Sequence, residues 1–365
     1  MDLTDEDKLR LNVLLAQSLQ AIRIDESRME VYALSDKGEA KVALHANCKD
    51  EKYLKLVRQW LSTHVLGSPG GYPVFMRRWT RMGQGVGEAR EDSLEKLLLL
   101  GEPEAIVAVV HANGVTDEIA RRAWWCEPNA ENARCLLRSE DVVNGNMGPE
   151  LAKFLVEFLP FEESSRAMMN SVRLVLQSSL IDEATKEEIW KRGKRRNTFY
   201  VGFLQQCSHD LPIDTEPHPD FHLSSQIDNQ DQFSEKLKLI FSPQGQAAIE
   251  TFKIVLNKPN DQDVAVEIFK TLGNYFHIRP DYPNNWRDID ELSTYTNDLT
   301  KNHGKAIIKQ WPQAESYIFA ILFLSMINES LLDPIFGVTD SIGSVMRKRI
   351  AHLTVPIIEQ LKILS

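Results

Sequence analysis

The feature that most constrains the fold is a series of short amphipathic segments in residues 92–206, each bounded by helix start and stop signals. Asp92 precedes SLEKLLLL, which ends before Gly101, Pro103 lies at the start of EAIVAVVHA, and Thr116 precedes the next segment. The connections are only a few residues long, as is usual between neighbouring helices. Because no segment can bury its apolar face alone, we predict helices packed side by side in an irregular, solenoid-like array.

The same signals divide the chain into four segments and predict a mainly α fold. We expect a helix, a small antiparallel β-meander and a second helix in residues 1–66, and the array of short helices in 67–207. Residues 208–230 contain three prolines and no periodic apolar face, which indicates a linker or surface loop. Residues 231–365 are predicted to form a C-terminal α-helical domain.

Three further elements can be placed from local patterns. Ala21–Asp25 and the runs MEVYALS and AKVALHA, which flank the turn Asp36–Glu39, predict the three strands of the meander. Ala314–Leu332 is apolar on nearly all sides, so we predict a long helix at the centre of the C-terminal domain. The last helix is expected to be broken at Pro356.

Composition and charge exclude several classes of protein. The chain has 365 residues, 43% of them hydrophobic and 26% charged, which is typical of a folded globular protein. A net charge of −10 argues against a general nucleic-acid-binding protein. Four cysteines in a chain of this length predict reduced thiols, and the acidic start MDLTDEDKLRLN predicts no secretory signal. The longest apolar run, Tyr317–Ile327, is too short to span a bilayer, so a cytoplasmic protein is expected.

The segment Gly67–Gly83 combines turn residues with a short basic amphipathic helix. Its apolar face includes Trp79, and its opposite face carries Arg77, Arg78 and Arg81. One interpretation is a connector whose arginines are solvated or pair with local carboxylates. The other is a site for an anion or an acidic partner, because the planar guanidinium group matches carboxylate and phosphate.

Cys126 and Cys135 are the candidate reactive thiols. They lie nine residues apart in a stretch that also contains Arg121, Arg122 and Arg134, and nearby guanidinium groups favour a thiolate. The alternative is that both are small core residues at helix ends, as free cysteines usually are. Neither belongs to a Cys-X-X-Cys motif, and no partner histidine is implied by the spacing.

His218 and His222 are weak candidates for metal ligands. The sequence HPDFH has a spacing seen in metal sites, but a structural zinc site needs four ligands and no cysteine pair accompanies these histidines. Solvated histidines in a polar loop are the alternative. The sequence therefore predicts no metal site and no cofactor.

A second basic cluster lies at the end of a predicted helix, in the sequence KRGKRRN. Cations at a helix C-terminus complement the helix dipole, but five charges exceed what this effect requires. A docking surface for an acidic protein or for nucleic acid is the functional alternative. The cluster consists of Lys191, Arg192, Lys194, Arg195 and Arg196.

Four stretches of the chain carry a resemblance to a known family. They are LNVLLAQ near the start, GSPGGYPVFMRRWTRMGQ from residue 67, DSLEKLLLLGEPEAIVAVVHA at 92–112 and DEIARRAWWCEPNAENAR at 117–134. In these stretches the chain resembles the DsrS proteins, which are encoded with the dissimilatory sulfur-oxidation genes of sulfur-storing bacteria, and the resemblance covers roughly residues 4–206. It implies a cytoplasmic accessory or regulatory protein of that pathway, with partners in its machinery, and no catalytic motif.

Three functional hypotheses follow. No nucleophile elbow, phosphate loop or paired metal-ligand spacing occurs, which favours a non-catalytic protein that acts through protein–protein interaction. The second hypothesis is a sulfur-handling protein that uses Cys126 or Cys135 as a persulfide carrier. The third is a nucleic-acid-binding regulator that uses the basic cluster at residues 191–196.

Overall fold

The protein is mainly helical, with one small sheet near its N-terminus, in a computed structural model. This confirms the predicted fold class. The structure describes residues 2–71, 91–177, 180–224, 232–278, 282–283, 285–301, 305–338 and 341–365. The chain divides into two compact units, which we call unit 1 (Met1–Phe158) and unit 2 (Leu159–Ser365).

The described residues of unit 1 form the sheet, the two helices that flank it in sequence, and six short helices after residue 90. In chain order its elements are α1 (Asp5–Leu15), β1 (Leu19–Asp25), β2 (Glu30–Ser35), β3 (Gly38–Ala43), α2 (Asp50–Leu66), α3 (Glu91–Leu98), α4 (Pro103–Val110), α5 (Asp117–Cys126), α6 (Ala130–Leu136), α7 (Glu140–Val143) and α8 (Met147–Phe158).

The sheet is an antiparallel meander with the order β1-β2-β3. Ser35 pairs with Gly38 across a two-residue turn, and Gly38 has φ of 111°, a value that residues with a side chain rarely adopt. Side chains on one face, such as Val31 and Ala33, are buried against Tyr53 and other residues of the unit 1 core. The observed strand order matches the predicted meander, and the core side chains cover the buried face of the sheet.

A buried carboxylate links α1 to α2. Thr4 caps α1 by accepting the Asp7 backbone N–H at 3.3 Å. The Asp7 side chain is fully buried and accepts the Tyr53 hydroxyl and the His45 backbone N–H, the latter at 2.8 Å. Burial opposes ionisation of Asp7, but these hydrogen bonds outweigh it, so its pKa is lowered.

The short helices of unit 1 lie beside one another. Helix α3 contacts α4 and α5, α4 contacts α5 and α6, and α6 contacts α8. Strand β1 also packs on α3 and α5, so the sheet forms part of the same unit. Side-chain caps at Thr116 and Asn129 begin α5 and α6, which explains why the helices start where they do.

Unit 2 begins with a 3₁₀ turn (Leu159–Phe161), and its other described elements are helices. They are α9 (Ser165–Val175), α10 (Glu183–Arg192), α11 (Thr198–Cys207), α12 (Phe221–Ser224), α13 (Gln232–Phe241), α14 (Pro243–Asn257), α15 (Gln262–Phe276), α16 (Ile289–Thr300), α17 (Lys305–Gln310), α18 (Ala314–Ser325), α19 (Asp333–Phe336) and α20 (Gly343–Ile363), with a second 3₁₀ turn at Glu329–Leu331.

The division into units differs from the segments predicted from the sequence. Helix α11 packs on α9 and also on α14 and α15, so the helices after residue 158 belong with the C-terminal helices. Part of the predicted linker is also held in unit 2, since the His218 backbone N–H donates to the Phe241 carbonyl at 3.0 Å. These contacts join residues far apart in sequence.

Two predictions about the C-terminal helices need correction. Helix α18 is buried on nearly all sides and contacts α15, α16 and α20, as predicted, but it ends at Ser325 and not at Leu332. The Asn328 side chain caps a separate 3₁₀ turn there. Helix α20 continues through Pro356, which removes one backbone donor without ending the helix.

Candidate functional site

The basic cluster predicted at residues 191–196 lies at the end of α10 and in the turn that follows it. Backbone hydrogen bonds close this turn, among them Gly193 N–H to the Trp190 carbonyl at 2.9 Å. A Cβ at Gly193 would collide with the ring of Tyr200, so glycine allows the turn to rest on that ring. The rings of Trp190 and Tyr200 are 4.5 Å apart and almost fully buried, which anchors the turn to the core of unit 2.

Three of the five cations of this cluster bind carboxylates or backbone carbonyls. Lys191 and Arg192 form ion pairs one helical turn back, at 3.2 Å with Glu187 and 2.6 Å with Glu188. Arg196 donates to the backbone carbonyls of Glu162 at 3.3 Å and Glu163 at 3.1 Å.

Lys194 and Arg195 differ from these three. Both are exposed, and neither has an ion pair with any residue that the structure describes. They are therefore the two charges of the cluster that are available to a partner.

A groove of about 490 Å³ runs beside this turn. Leu159, Met168 and Phe199 lie beneath it, and each is buried except for a small part of its surface. Its other lining residues are Pro160, Glu188, Lys191, Arg192, Arg195 and Arg196. Phe161, which follows Pro160 in the 3₁₀ turn, is 73% exposed. We call this feature the basic groove; it has an apolar floor and a rim on which cations outnumber carboxylates.

Cys135 lies in a second cluster, in unit 1, together with His111 and Glu131. Glu131 and Cys135 are four residues apart in α6 and so lie on one face of that helix. His111 follows the last residue of α4, which packs on α6. The Cys135 Sγ is 3.3 Å from His111 Nε2 and 3.8 Å from Glu131 Oε1.

Hydrogen bonds fix the roles of the atoms in this cluster. His111 Nδ1 lies 2.8 Å from the Val107 carbonyl, which can only accept, so Nδ1 carries a proton, and Nε2 is the ring nitrogen that faces Cys135. Arg134 donates to Glu131 Oε2 at 2.8 Å and lowers the pKa of that carboxyl. Burial and the Glu131 charge raise the pKa of Cys135, so its resting state is a thiol, and its sulfur lies within hydrogen-bond distance of both Glu131 Oε1 and His111 Nε2.

Cys126, the other candidate thiol, has a different environment. Its sulfur is buried and donates to the Ile22 carbonyl at 3.6 Å, and burial raises its pKa to about 12. Arg121 and Arg122 both bind Glu118, so their charges are engaged by a carboxylate. The pKa of Cys126 is therefore raised, whereas the neighbouring arginines alone would lower it.

The two histidines of HPDFH have unlike surroundings. His218 is buried, stacks on Phe241 with ring centroids 4.0 Å apart, and accepts the Asp220 backbone N–H at Nδ1. Burial lowers its pKa. His222 is exposed and donates to the Pro219 carbonyl at 3.0 Å. Within the part of the chain that the structure describes, neither belongs to a group of three potential metal ligands, whereas His111, Glu131 and Cys135 form such a group.

The remaining predicted site, formed by Arg77, Arg78, Trp79 and Arg81, lies outside the described residues.

Comparisons with known proteins give no further identification. Protein-family models, curated proteins and solved structures contain no match to this chain. Among the helices in the described ranges, none has both the length and the apolar character needed to cross a membrane.

Sequence reasoning missed the partners of both clusters. Glu131 and Cys135 have the spacing of one helical turn, a signal that was available, but nothing local places His111 beside them, because it is 24 residues from Cys135. The same holds for Met168 and Leu159, which reach the basic groove from other elements.

Proposed function

We propose that the protein is a non-catalytic accessory protein that binds an acidic segment of a protein partner in the basic groove. The observation that carries the proposal is an exposed cation on the rim of the groove, Arg195, with a second exposed cation, Lys194, next to it in the chain; neither forms an ion pair with a described residue. A segment with carboxylates around one apolar side chain would match both the cations and the apolar floor, because charged rims guide association and apolar pockets supply affinity.

The chemistry of the groove favours a protein over nucleic acid. The whole chain carries a net charge of −10, which repels a long polyanion. Three of the five cations in the cluster already bind carboxylates or carbonyls, so a phosphate backbone would have to compete for them. A short acidic peptide needs only the two available charges and the floor.

The resemblance to DsrS proteins supports a place for this partner in the cytoplasmic sulfur-oxidation machinery. The persulfide-carrier hypothesis has less support, because the pKa values of Cys126 and Cys135 are both raised and a carrier needs a thiolate.

The test compares charge reversal at Arg195 on the groove rim and at the adjacent Lys194 with an identical change elsewhere in unit 2. The variant is Lys194→Glu/Arg195→Glu, and the matched control is Lys348→Glu/Arg349→Glu, two exposed cations of α20 without ion pairs to any described residue. The probe is a fluorescein-labelled peptide with aspartates on both sides of one phenylalanine, and binding is followed by fluorescence anisotropy. We expect the groove variant to bind about tenfold more weakly, or ~1.4 kcal/mol, and the control to bind like the wild type.

Two further probes separate the alternatives. Replacing the phenylalanine of the peptide with serine should weaken binding, since the floor would lose its contact. A single-stranded RNA of equal charge should bind more weakly than the peptide. Stronger binding of the RNA, an equal effect of both charge reversals, or no peptide binding at low salt would each contradict the proposal.

A further inference from the structure

The cluster around Cys135 contains three side chains of the kinds that bind transition metals. Cysteine sulfur, histidine nitrogen and a carboxylate oxygen are the protein ligands of Zn²⁺. In this cluster one atom of each kind comes from Cys135, His111 and Glu131, and these atoms all lie within 4.8 Å of one another. The basic groove uses none of these residues.

The distances are close to those of a tetrahedral zinc site. Zn–S and Zn–N lengths of ~2.3 and ~2.0 Å place sulfur and nitrogen ~3.5 Å apart at the tetrahedral angle. The structure has 3.3 Å between Cys135 Sγ and His111 Nε2 and 3.8 Å between Cys135 Sγ and Glu131 Oε1. The third pair of donor atoms is the ring nitrogen of His111 and the carboxylate oxygen of Glu131. Both side chains are exposed, so small rotations can bring these two atoms to the separation that a metal requires.

Hydrogen bonds orient the side chains of the cluster in the way that metal ligands are usually oriented. A metal-binding histidine donates its second ring nitrogen to a carbonyl or carboxylate, and His111 Nδ1 does so to Val107 at 2.8 Å. Arg134 binds Glu131 Oε2 at 2.8 Å and leaves Oε1 directed at the sulfur. The buried Cys135 is a neutral thiol without a metal, and coordination would displace its proton.

We propose that His111, Glu131 and Cys135 form a binding site for a thiophilic divalent cation, with Zn²⁺ as the best match to one sulfur, one nitrogen and one oxygen donor. Three protein ligands leave the fourth tetrahedral position to water or to a donor from another molecule. Because His111 and Glu131 are exposed, this fourth position faces solvent.

The experiment is a titration of the reduced, full-length protein with Co²⁺, which replaces Zn²⁺ and gives visible absorption. We expect one equivalent to bind per chain, with a thiolate-to-cobalt charge-transfer band and the d–d bands of a tetrahedral ion, and Zn²⁺ to displace it. Cys135→Ser should abolish the charge-transfer band. His111→Ala and Glu131→Gln should each lower affinity by more than the ~10–100-fold that the loss of a supporting residue costs.

His64→Ala is a matched control, because His64 is exposed and also donates Nδ1 to the carbonyl four residues earlier, at 2.8 Å, but is not part of the three-ligand group. It should bind Co²⁺ like the wild type.

A second measurement does not depend on how the variants fold. Zn²⁺ should slow alkylation of Cys135 in the wild-type protein by at least tenfold, read from the Cys135 peptide by mass spectrometry, and leave alkylation of Cys48 unchanged. Absence of a charge-transfer band, Co²⁺ affinity unaffected by His111→Ala, or no protection of Cys135 by Zn²⁺ would each overturn the proposal.

Discussion

The buried hydrogen bond between Tyr53 and Asp7 gives a quantitative prediction for the stability of unit 1. Tyr53→Phe keeps the buried ring and removes only the hydroxyl that donates to Asp7 and accepts the Thr4 backbone N–H at 3.2 Å. A hydrogen bond to a charged group contributes ~1.5–3 kcal/mol, so we expect a loss of ~2–3 kcal/mol at neutral pH. The Asp7 carboxylate stays buried with one donor fewer, which is the main cause of the loss.

The loss should depend on pH in a defined direction. The pKa of Asp7 is lowered in the folded protein, so its ionised form contributes stability above the unfolded value of 3.8, and this contribution disappears as the pH falls through the folded pKa. Without the Tyr53 hydroxyl the folded pKa rises toward that of the unfolded chain. The difference between the wild type and the variant should therefore be largest at neutral pH and shrink as the pH falls below 3.8.

Amide hydrogen exchange of β2 measures this effect within unit 1. The amides of Glu30–Ser35 lie in the central strand, and their opening free energy should fall by ~2–3 kcal/mol, which is about 30- to 150-fold faster exchange after correction for intrinsic rates. Tyr32→Phe is the control, since its hydroxyl donates to the partly exposed Glu30 and should contribute much less to stability. Equal effects of the two variants, or a difference that grows at low pH, would refute the argument.

Two further predictions concern single residues. Cys126 is buried and has a pKa raised to about 12, so it should resist iodoacetamide in the folded protein while the half-buried Cys48 reacts. Peptide mass spectrometry measures both reactions. Rapid labelling of Cys126 would show that its site opens. Gly273→Ala should lower the free energy of unfolding of unit 2 by ~1–3 kcal/mol in urea titrations, because the new Cβ would collide with the Ile327 carbonyl. An unchanged unfolding transition would mean that the backbone at Ile327 can move away from Gly273 without cost.

The parts of the fold that local chemistry determines could be predicted from the sequence. Thr116 is predicted to begin a helix, and the side chains of Thr4, Thr116 and Asp182 each accept a backbone N–H of the first helical turn. The meander could be predicted as well, because alternating burial and a glycine-containing turn are properties of adjacent residues. These features needed no knowledge of distant contacts.

Long-range packing could not be predicted in the same way. The end of α18 at Ser325 coincides with the approach of Ile327 to Gly273 of α15, a contact between residues 54 positions apart that no local pattern reveals. The cluster around Cys135 has the same character, since α4 and α6 must pack together before His111 reaches the sulfur. Sequence could identify the type of each side chain but not which ones meet.

The partners of the five cations show why counting charge in a sequence is a poor guide to binding. Lys191 and Arg192 lie four residues after Glu187 and Glu188, and that spacing alone explains their ion pairs. Arg196 binds carbonyls and so holds the chain in place. Lys194 and Arg195 are the two cations of the cluster that have no ion pair with a described residue, and two are too few for the many phosphate contacts on which nonspecific nucleic-acid binding depends. If the basic groove binds an acidic peptide through Lys194 and Arg195, its affinity should therefore fall only modestly with added salt, because few charges take part and the apolar floor supplies the rest.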